Sequence, residues 1–408
     1  MQIQKKIIPF ISTFIIIIGL GLLVNLIPQS LISDNIIESV KLIENIDDKV
    51  FDNLEQSRIN NLSEIYTLET IYYSDSGLKS ILLPEYNEIR KDDENYIRTA
   101  INMLNINSAL DNYPNYAIGQ NILLRPLFIR FTMSEIKFFN LEFLIILSVL
   151  FVLICEKQKL RPLWISYIIS LILTQSFLST VSLQYMPILL ISLITSIIVL
   201  CTKKEIKSLF IVLGVITAFF DNLGLGIILF SMPQLVSLIK YHSFDEPAHK
   251  NTIKHFLEWF ISLILTIIIK TSLSYFIYKE FSLTYIKELF AINGSFFTTI
   301  GSGLYRNIVQ LLPMSLNNPP KANMIIFFVI IFIYMSFLYT YKRKGINKNK
   351  IIAYVTIGML PLINLVLFFG YSYTYNYFMH RILLITIMSM MMIAFECSGF
   401  FIKKNKIL

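Results

Sequence analysis

Four places in the 408-residue chain carry side chains able to take a proton or hold an anion, and they lie far apart in sequence. Glu64 stands among Asn60, Asn61 and Ser63 in NNLSEIYTLETIYYSD (60–75). Its carboxylate could deprotonate a hydroxyl held within hydrogen-bond reach. Asp111, a second candidate base, opens DNYPNYAIGQNILLRPLFIRF (111–131), which also holds Tyr113, Tyr116 and Arg125. The planar guanidinium fork of Arg125 suits phosphate oxygens better than a lysine would. Asp221 and Asn222 follow the apolar run LFIVLGVITAFF (209–220), and an ionisable group there is costly unless it faces a polar cavity or an interface. His380 and Arg381 follow YSYTYNYF (371–378) and could grip an anion from an opposite wall.

Each of these has a plainer structural reading. Glu64 also fits a solvated surface, and Asp111 before Asn112 fits an Asx-turn or a helix N-cap. Tyrosines at a membrane boundary anchor in the headgroup layer, and an arginine there can snorkel to ordinary lipid. Asp221 also suits a helix-terminal turn. Glu69 is too loosely related to Glu64 around a helix to make a carboxylate pair. The mixed run RKDDEN (90–95) reads as a solvated face, with hard-cation binding as the alternative. His242, His249 and His255 lack ligand spacing and read as solvated loop residues. No P-loop, nucleophile elbow or HExxH motif occurs, which argues against hydrolytic nucleophile chemistry.

The elements that must position these residues are apolar helices. The chain is 55% hydrophobic and 15% charged, with a mean hydropathy of +0.63. That composition excludes an ordinary soluble domain. Runs such as IIPFISTFIIIIGLGLLVNLI (7–27) and MIIFFVIIFIYMSFLYTY (324–341) are long enough to cross about 30 Å of hydrocarbon as helices. The hydropathy pattern predicts an all-α integral membrane protein with about ten spans: 7–27, 139–155, 161–176, 180–201, 207–221, 225–240, 256–278, 324–341, 351–371 and 382–402. VNLIPQS is a poor cleavage site, so the first run is expected to be a retained helix. Cys155, Cys201 and Cys397 lie in or beside apolar runs and build neither a disulfide framework nor a zinc site.

Lysine and arginine collect in MQIQKK, EKQKLR, TKKEIK, IKYHSFDEPAHKNTIKH, YKRKGINKNK and IKKNKIL, all on one face if the spans alternate. That face is expected to be cytoplasmic in a bacterial plasma membrane, with both termini inside. The formal charge of +8 is then a topology signal, and no nucleic-acid partner is expected. One membrane domain, 1–408, results, with outer loops at 28–138 and 279–323. IIESVKLIENI in the first loop repeats apolar residues at helical spacing, so it should lie on the membrane surface or pack on a small outer subdomain. The second loop, with Arg306, could close over a bound glycan or plug a cavity.

A large outer loop after the first of many membrane helices resembles the layout of the C superfamily of lipid-dependent glycosyltransferases. Four blocks carry a sharper resemblance to a bacterial family of polytopic membrane proteins of that type. NNLSEIYTLETIYYSD is similar to DNxTDxxMLNxAY, and YPNYAIGQNILLRPLFIRFTMSEIKFFN (113–140) to YxRYWHGYxxxLRPLLxxxxYxxIRxxN. FFDNLGLGIILFSMPQLV (219–236) resembles YFDFLTxPxxTLGLPL, and YNYFMHRILLI (375–385) resembles HxFFTYRxxAI. The blocks occur in the family's order and span loop and membrane body. Tyr116, Gly119, Arg125, Pro126, Asp221 and Arg381 match, and Ser63-Glu64 keeps the family's carboxylate. Asn115, Ala117 and Ile118 replace the family's arginine, tryptophan and histidine, which marks a divergent member.

The resemblance implies transfer of a sugar from a polyprenyl-phosphate donor to an envelope glycan or lipid acceptor on the outer face. Glu64 or Asp111 would be the base, and Arg125 and Arg381 would neutralise the lipid phosphate. Tyr113, Tyr116, Asp221, Asn222 and His380 would line the substrate cavity. The superfamily has metal-dependent and metal-independent members, so a divalent cation is compatible and no ligand is assigned. Two rivals stand: a polysaccharide polymerase or lipid-linked glycan flippase, and an envelope protein that has lost catalysis.

Overall fold

The computed structural model describes residues 4–44, 61–74, 77–82, 85–86, 111–112, 119–221, 224–241, 248–279, 290–292, 295–309 and 347–398. Among these the chain is helical apart from one antiparallel pair of two-residue strands, Glu85–Tyr86 and Asp111–Asn112. The helices are α1 (Gln4–Asn25), α2 (Ser33–Glu44), α3 (Asn61–Tyr73), α4 (Lys79–Leu82), α5 (Gly119–Leu127), α6 (Met133–Lys157), α7 (Arg161–Leu173) and α8 (Met186–Cys201). They continue as α9 (Leu209–Phe220), α10 (Ile227–Tyr241), α11 (Ala248–Tyr278), α12 (Phe296–Val309), α13 (Lys348–Leu367), α14 (Phe369–Thr374), α15 (Asn376–Met379) and α16 (Leu384–Ser398).

Among the described residues, five stretches are long and apolar enough to cross a membrane: Lys6–Asn25, Met133–Lys157, His249–Tyr278, Lys348–Leu367 and His380–Cys397. They also leave large apolar side chains uncovered, among them Ile8, Leu23, Ile146, Leu153 and Phe276. Apolar outer faces around a core that holds buried polar groups are the pattern of a membrane protein, because exposed patches of this size are rare in water. The shorter apolar helices α8, α9 and α10 fill the interior, while α7 packs one face inward and leaves Ile169, Ile172 and Leu173 uncovered. At about 1.5 Å per residue, the 12 residues of α9 cover roughly 18 Å.

Contacts between helix ends fix an alternating arrangement. At one end Lys350 of α13 bonds Glu396 of α16 at 2.5 Å, and Gln158, after α6, donates to the Leu200 carbonyl of α8. Tyr241, closing α10, bonds Val199 and Thr202 there. At the opposite end lie the C-termini of α7 and α9, the N-terminus of α8 and the turn before α16. The N-terminal segments cap that end. Ile32, just before α2, and Ile36, Val40 and Ile43 within it form one stripe and bury against Ile65, Leu68 and Ile71 of α3, Leu124 and Phe128 in and after α5, and Leu183. The amphipathic segment around α2 thus packs on a small subdomain rather than presenting its apolar face outward.

Several boundaries differ from the hydropathy reading. Helix α6 begins at Met133 instead of 139, because Glu135 reaches back to the Thr132 N–H (2.8 Å) and hydroxyl (3.0 Å) as a helix-start cap. Helix α7 stops at Leu173 and α8 starts at Met186. Between them, Ser176–Val181 forms a 3-10 turn whose hydroxyls bond locally, as Thr180 does to the Phe177 carbonyl. Helix α11 starts at Ala248 instead of 256, which places His255 inside it. His255 is buried, stacked on Phe210 (4.6 Å between centroids), with Nδ1 2.9 Å from Gln234 Oε1, and is not a solvated loop residue. The expected span 324–341 and the run 90–95 lie outside the described residues.

Candidate functional site

The segment Ser182–Tyr185, between the 3-10 turn and α8, is the hub of the capped end. It binds three partners through four consecutive residues. Ser182 Oγ donates to Glu64 Oε1 at 2.7 Å, and the Leu183 N–H faces both Glu64 oxygens at 3.2 and 3.1 Å. The Gln184 carbonyl accepts from Gln120 Nε2 at 3.0 Å. Tyr185 stacks on Phe378, 4.5 Å between centroids, two residues before His380.

Glu64 is in the first turn of α3, and no part of the residue is exposed. Besides the hub it pairs with Lys137 of α6, Nζ lying 3.3 Å from Oε2. Burial of a carboxylate requires such compensation, and here a hydroxyl, an amide and an ammonium provide it. Glu64 thus ties the capping subdomain to the bundle and is sealed from water.

Arg125 closes the other side of α3. Nη1 donates to the carbonyls of Ile71 (2.7 Å) and Ser74 (2.6 Å), and Nη2 to that of Ile27 (2.8 Å). These oxygens belong to the last turn of α3 and to the end of the first helical segment, whose carbonyls have no partner along the helix. The fork that suits phosphate is therefore occupied by backbone. Its neighbour Asn121 reinforces the same corner, donating to Thr70 O and Ser74 Oγ. Gln120 links this corner to α9 by donating to the Phe220 carbonyl at 3.1 Å. Gly119 lets α5 come this close, since a Cβ there would fall 2.4 Å from the Phe220 ring.

Asp221 ends α9. Its backbone is extended (φ −157°, ψ 118°), and its N–H still caps the Thr217 carbonyl. The amides of Gly224, Leu225 and Gly226 face the carboxylate, and that of Gly224 bonds Oδ1 at 3.3 Å. Oδ2 makes no hydrogen bond among the described residues. A Cβ on Gly224 would come 3.2 Å from Asp221 Oδ1 and 3.4 Å from the Tyr371 ring, so the carboxylate and Tyr371 lie on either side of one glycine. Tyr371 in turn packs on Tyr375 and Phe378.

His380 and Arg381 begin the 3-10 turn His380–Leu383 that leads into α16. Ser176 Oγ holds this turn through the Arg381 carbonyl at 3.0 Å. Glu64, Arg125, Asp221, His380 and Arg381 are thus brought to one end of the bundle, and none is more than 8% exposed. Asp111 is on the second short strand, paired with Tyr86. Tyr113, Tyr116 and Asn222 lie outside the described residues. Among the described residues no three carboxylate, imidazole or thiol groups converge to hold a metal ion.

Sequence reasoning passed over Ser182, Gln184, Gln120 and Lys137. The signal for the first two was present: QSFLSTVSLQY (175–185) is rich in serine, threonine and glutamine between two apolar runs, which marks a break and not the start of a span. Comparison with family models, with characterised proteins and with solved structures yields no match to the chain.

Proposed function

We propose that the chain is a multi-pass protein of the bacterial plasma membrane, with about ten spans and both termini cytoplasmic. In this reading it transfers a sugar from a polyprenyl-phosphate donor to an envelope glycan or lipid on the outer face. The observation that carries it is the buried ionisable layer, in which Glu64, Arg125, Asp221, His380 and Arg381 converge from distant segments on one end of an apolar bundle. Ionisable groups held at such a place are costly and mark substrate paths. The end opposite this layer carries the basic helix termini, which fits a cytoplasmic assignment there.

The geometry redistributes the roles. Asp221, whose Oδ2 is buried and makes no hydrogen bond among the described residues, serves as the base towards an acceptor hydroxyl. Arg381 supplies charge and His380 a hydrogen bond to the leaving phosphate, which needs stabilisation more than covalent chemistry. Glu64 and Arg125 act as positioning residues that hold the cap over this layer. Asp111 remains the second candidate base. Membranes from cells making the wild type, Asp221→Asn or Arg381→Ala are assayed for sugar transfer from polyprenyl-phosphate donors. Transfer by the wild type and its loss in both variants, with folding intact, supports the reading.

One observation favours a rival. The occupied fork of Arg125 and the sealed carboxylate of Glu64 also suit a non-catalytic envelope protein that keeps only the family's framework. In that case a deletion strain has an altered envelope glycan profile while an Asp221→Asn strain matches the wild type.

A further inference from the structure

Lys270 lies within α11, in the expected span 256–278, eight residues before the helix ends. It is 8% exposed, and its ammonium makes no ion pair or hydrogen bond among the described residues. A lysine at the rim of a bilayer usually extends its chain freely towards water, whereas all but 8% of this one is covered by its neighbours. An ammonium this covered, with no counter-charge among the described residues, is unfavourable, so an anion is the simplest completion of the site.

Its position says where that anion would come from. Trp259, Ser262, Thr266, Lys270 and Ser274 recur at helical spacing and are all buried, forming one polar stripe along α11. The stripe packs on α9: a Cβ on Gly214 would come 2.3 Å from the Trp259 carbonyl, and Trp259 Nε1 donates to Thr217 Oγ1 at 3.0 Å. Phe210 against His255 and Gly214 against Leu263 show that the two helices run in the same direction. Gly214 meets Trp259 to Leu263, and Asp221 follows Gly214 by seven residues as Lys270 follows Leu263, so the carboxylate and the ammonium stand within about one helical turn of the same level. One turn on, Ser274 Oγ bonds the Lys270 carbonyl (3.0 Å) and approaches the Leu82 carbonyl of α4 at 3.5 Å. Ile81 of α4 packs at Gly21 of α1. Lys270 therefore borders the seam of α1, α4, α9 and α11, beneath the cap and near the level of the proposed base.

We propose that Lys270 is an anion-binding residue that takes a phosphate oxygen of a lipid phosphate entering this seam from the bilayer. This deepens the proposed function and rests on it for the identity of the lipid: the base and the cation would flank the sugar–phosphate bond. The binding itself breaks no bond and is measurable without turnover.

The full chain is placed in phosphatidylcholine nanodiscs and titrated with polyprenyl phosphate, the matching polyprenol, phosphatidylglycerol or inorganic phosphate, followed by tryptophan fluorescence and native mass spectrometry. Trp259, on the same stripe, is the optical reporter. The expected result is saturable binding of polyprenyl phosphate that weakens at least tenfold in Lys270→Met and recovers in Lys270→Arg. The polyprenol should bind no better to the wild type than to Lys270→Met. Removing an unpaired buried charge should leave the melting temperature of Lys270→Met unchanged or higher, which separates lost binding from lost folding. Equal binding by wild type and Lys270→Met, equal binding of polyprenol and its phosphate, or no binding to the wild type overturns the inference. Equal Lys270-dependent binding of phosphatidylglycerol supports a phosphate site but assigns it to ordinary lipid, and such dependence on inorganic phosphate assigns it to the free anion. If polyprenyl phosphate binds through Lys270 while no sugar is transferred, the transferase reading falls and the site stands. If transfer proceeds at the wild-type rate in Lys270→Met, the site falls and the transferase reading stands.

Discussion

Glu64 Oε1 and Ser182 Oγ, 118 positions apart in the chain, meet at 2.7 Å in the interior. With the Leu183 N–H and the Lys137 ammonium, this contact pins the first turn of α3 to the break between α7 and α8. A capping subdomain made mostly of local helices is thereby attached to the membrane bundle by a polar joint. The joint is specific in register, because only a carboxylate at this position satisfies all three donors.

Glu64→Ala should be destabilising by about 3–5 kcal/mol, since it leaves an ammonium, a hydroxyl and an amide without their acceptor. Glu64→Gln keeps the shape and one acceptor oxygen and should cost about 1–3 kcal/mol. In a thermal-unfolding double-mutant cycle, Glu64→Gln with Lys137→Met should be less harmful than the sum of the two single changes. Additive losses would mean that the two side chains do not share one interaction.

Arg125→Lys should behave much more like Arg125→Ala than like the wild type. One ammonium cannot reach the carbonyls of Ile71, Ser74 and Ile27 together. Losing hydrogen bonds from a buried charged donor costs about 1.5–3 kcal/mol each. The expected signature is early proteolysis of the cap at temperatures where the bundle is still folded. Wild-type protease resistance in Arg125→Lys would contradict the framework role.

Close helix packing gives a paired test at two glycines. Gly214→Ala places a methyl 2.3 Å from the Trp259 carbonyl, so α9 and α11 must separate, at about 1–3 kcal/mol. Gly301→Ala, in α12, meets nothing within 4 Å and should gain up to about 1 kcal/mol from helix propensity. Melting temperatures of the two variants should move in opposite directions.

Asp221→Asn should cost about 1–3 kcal/mol, because its amide oxygen can still accept from the Gly224 N–H while its NH2 faces the remaining backbone donors. Sugar transfer should fall by about 10²-fold or more if the carboxylate is the base. Glu64→Gln, by contrast, should lose activity in proportion to its loss of folded protein. A specific-activity measurement normalised to folded protein separates the two.

The class of fold was legible because the hydrophobic effect writes long apolar runs directly into the sequence. The helices around α1, α6 and α13 follow from such runs alone. Where polar chemistry ends a helix, hydropathy failed: the Thr132–Glu135 cap moved the start of α6, and hydroxyl-rich residues 175–185 shortened the expected spans 161–176 and 180–201 to make the hub between them. Burial of His255 was hidden because its partners Gln234 and Phe210 belong to other helices. Glu64 and Asp221 were singled out from type and setting; the amides facing Asp221 are local, but Lys137 and Ser182 stand 73 and 118 positions from Glu64 and leave no local signature. Lys270 was overlooked since one charge inside a long apolar run does not interrupt a span. Its isolation is visible only once the neighbouring helices are in place.

The most direct test is sugar transfer by purified protein in proteoliposomes, using a labelled polyprenyl-phosphate sugar and comparing wild type, Asp221→Asn and Arg381→Ala at equal folded amounts. The account predicts transfer by the wild type alone, with both variants folded and at least about 10²-fold slower. Transfer that persists undiminished in Asp221→Asn, or a wild type that moves no sugar from such donors, would contradict it.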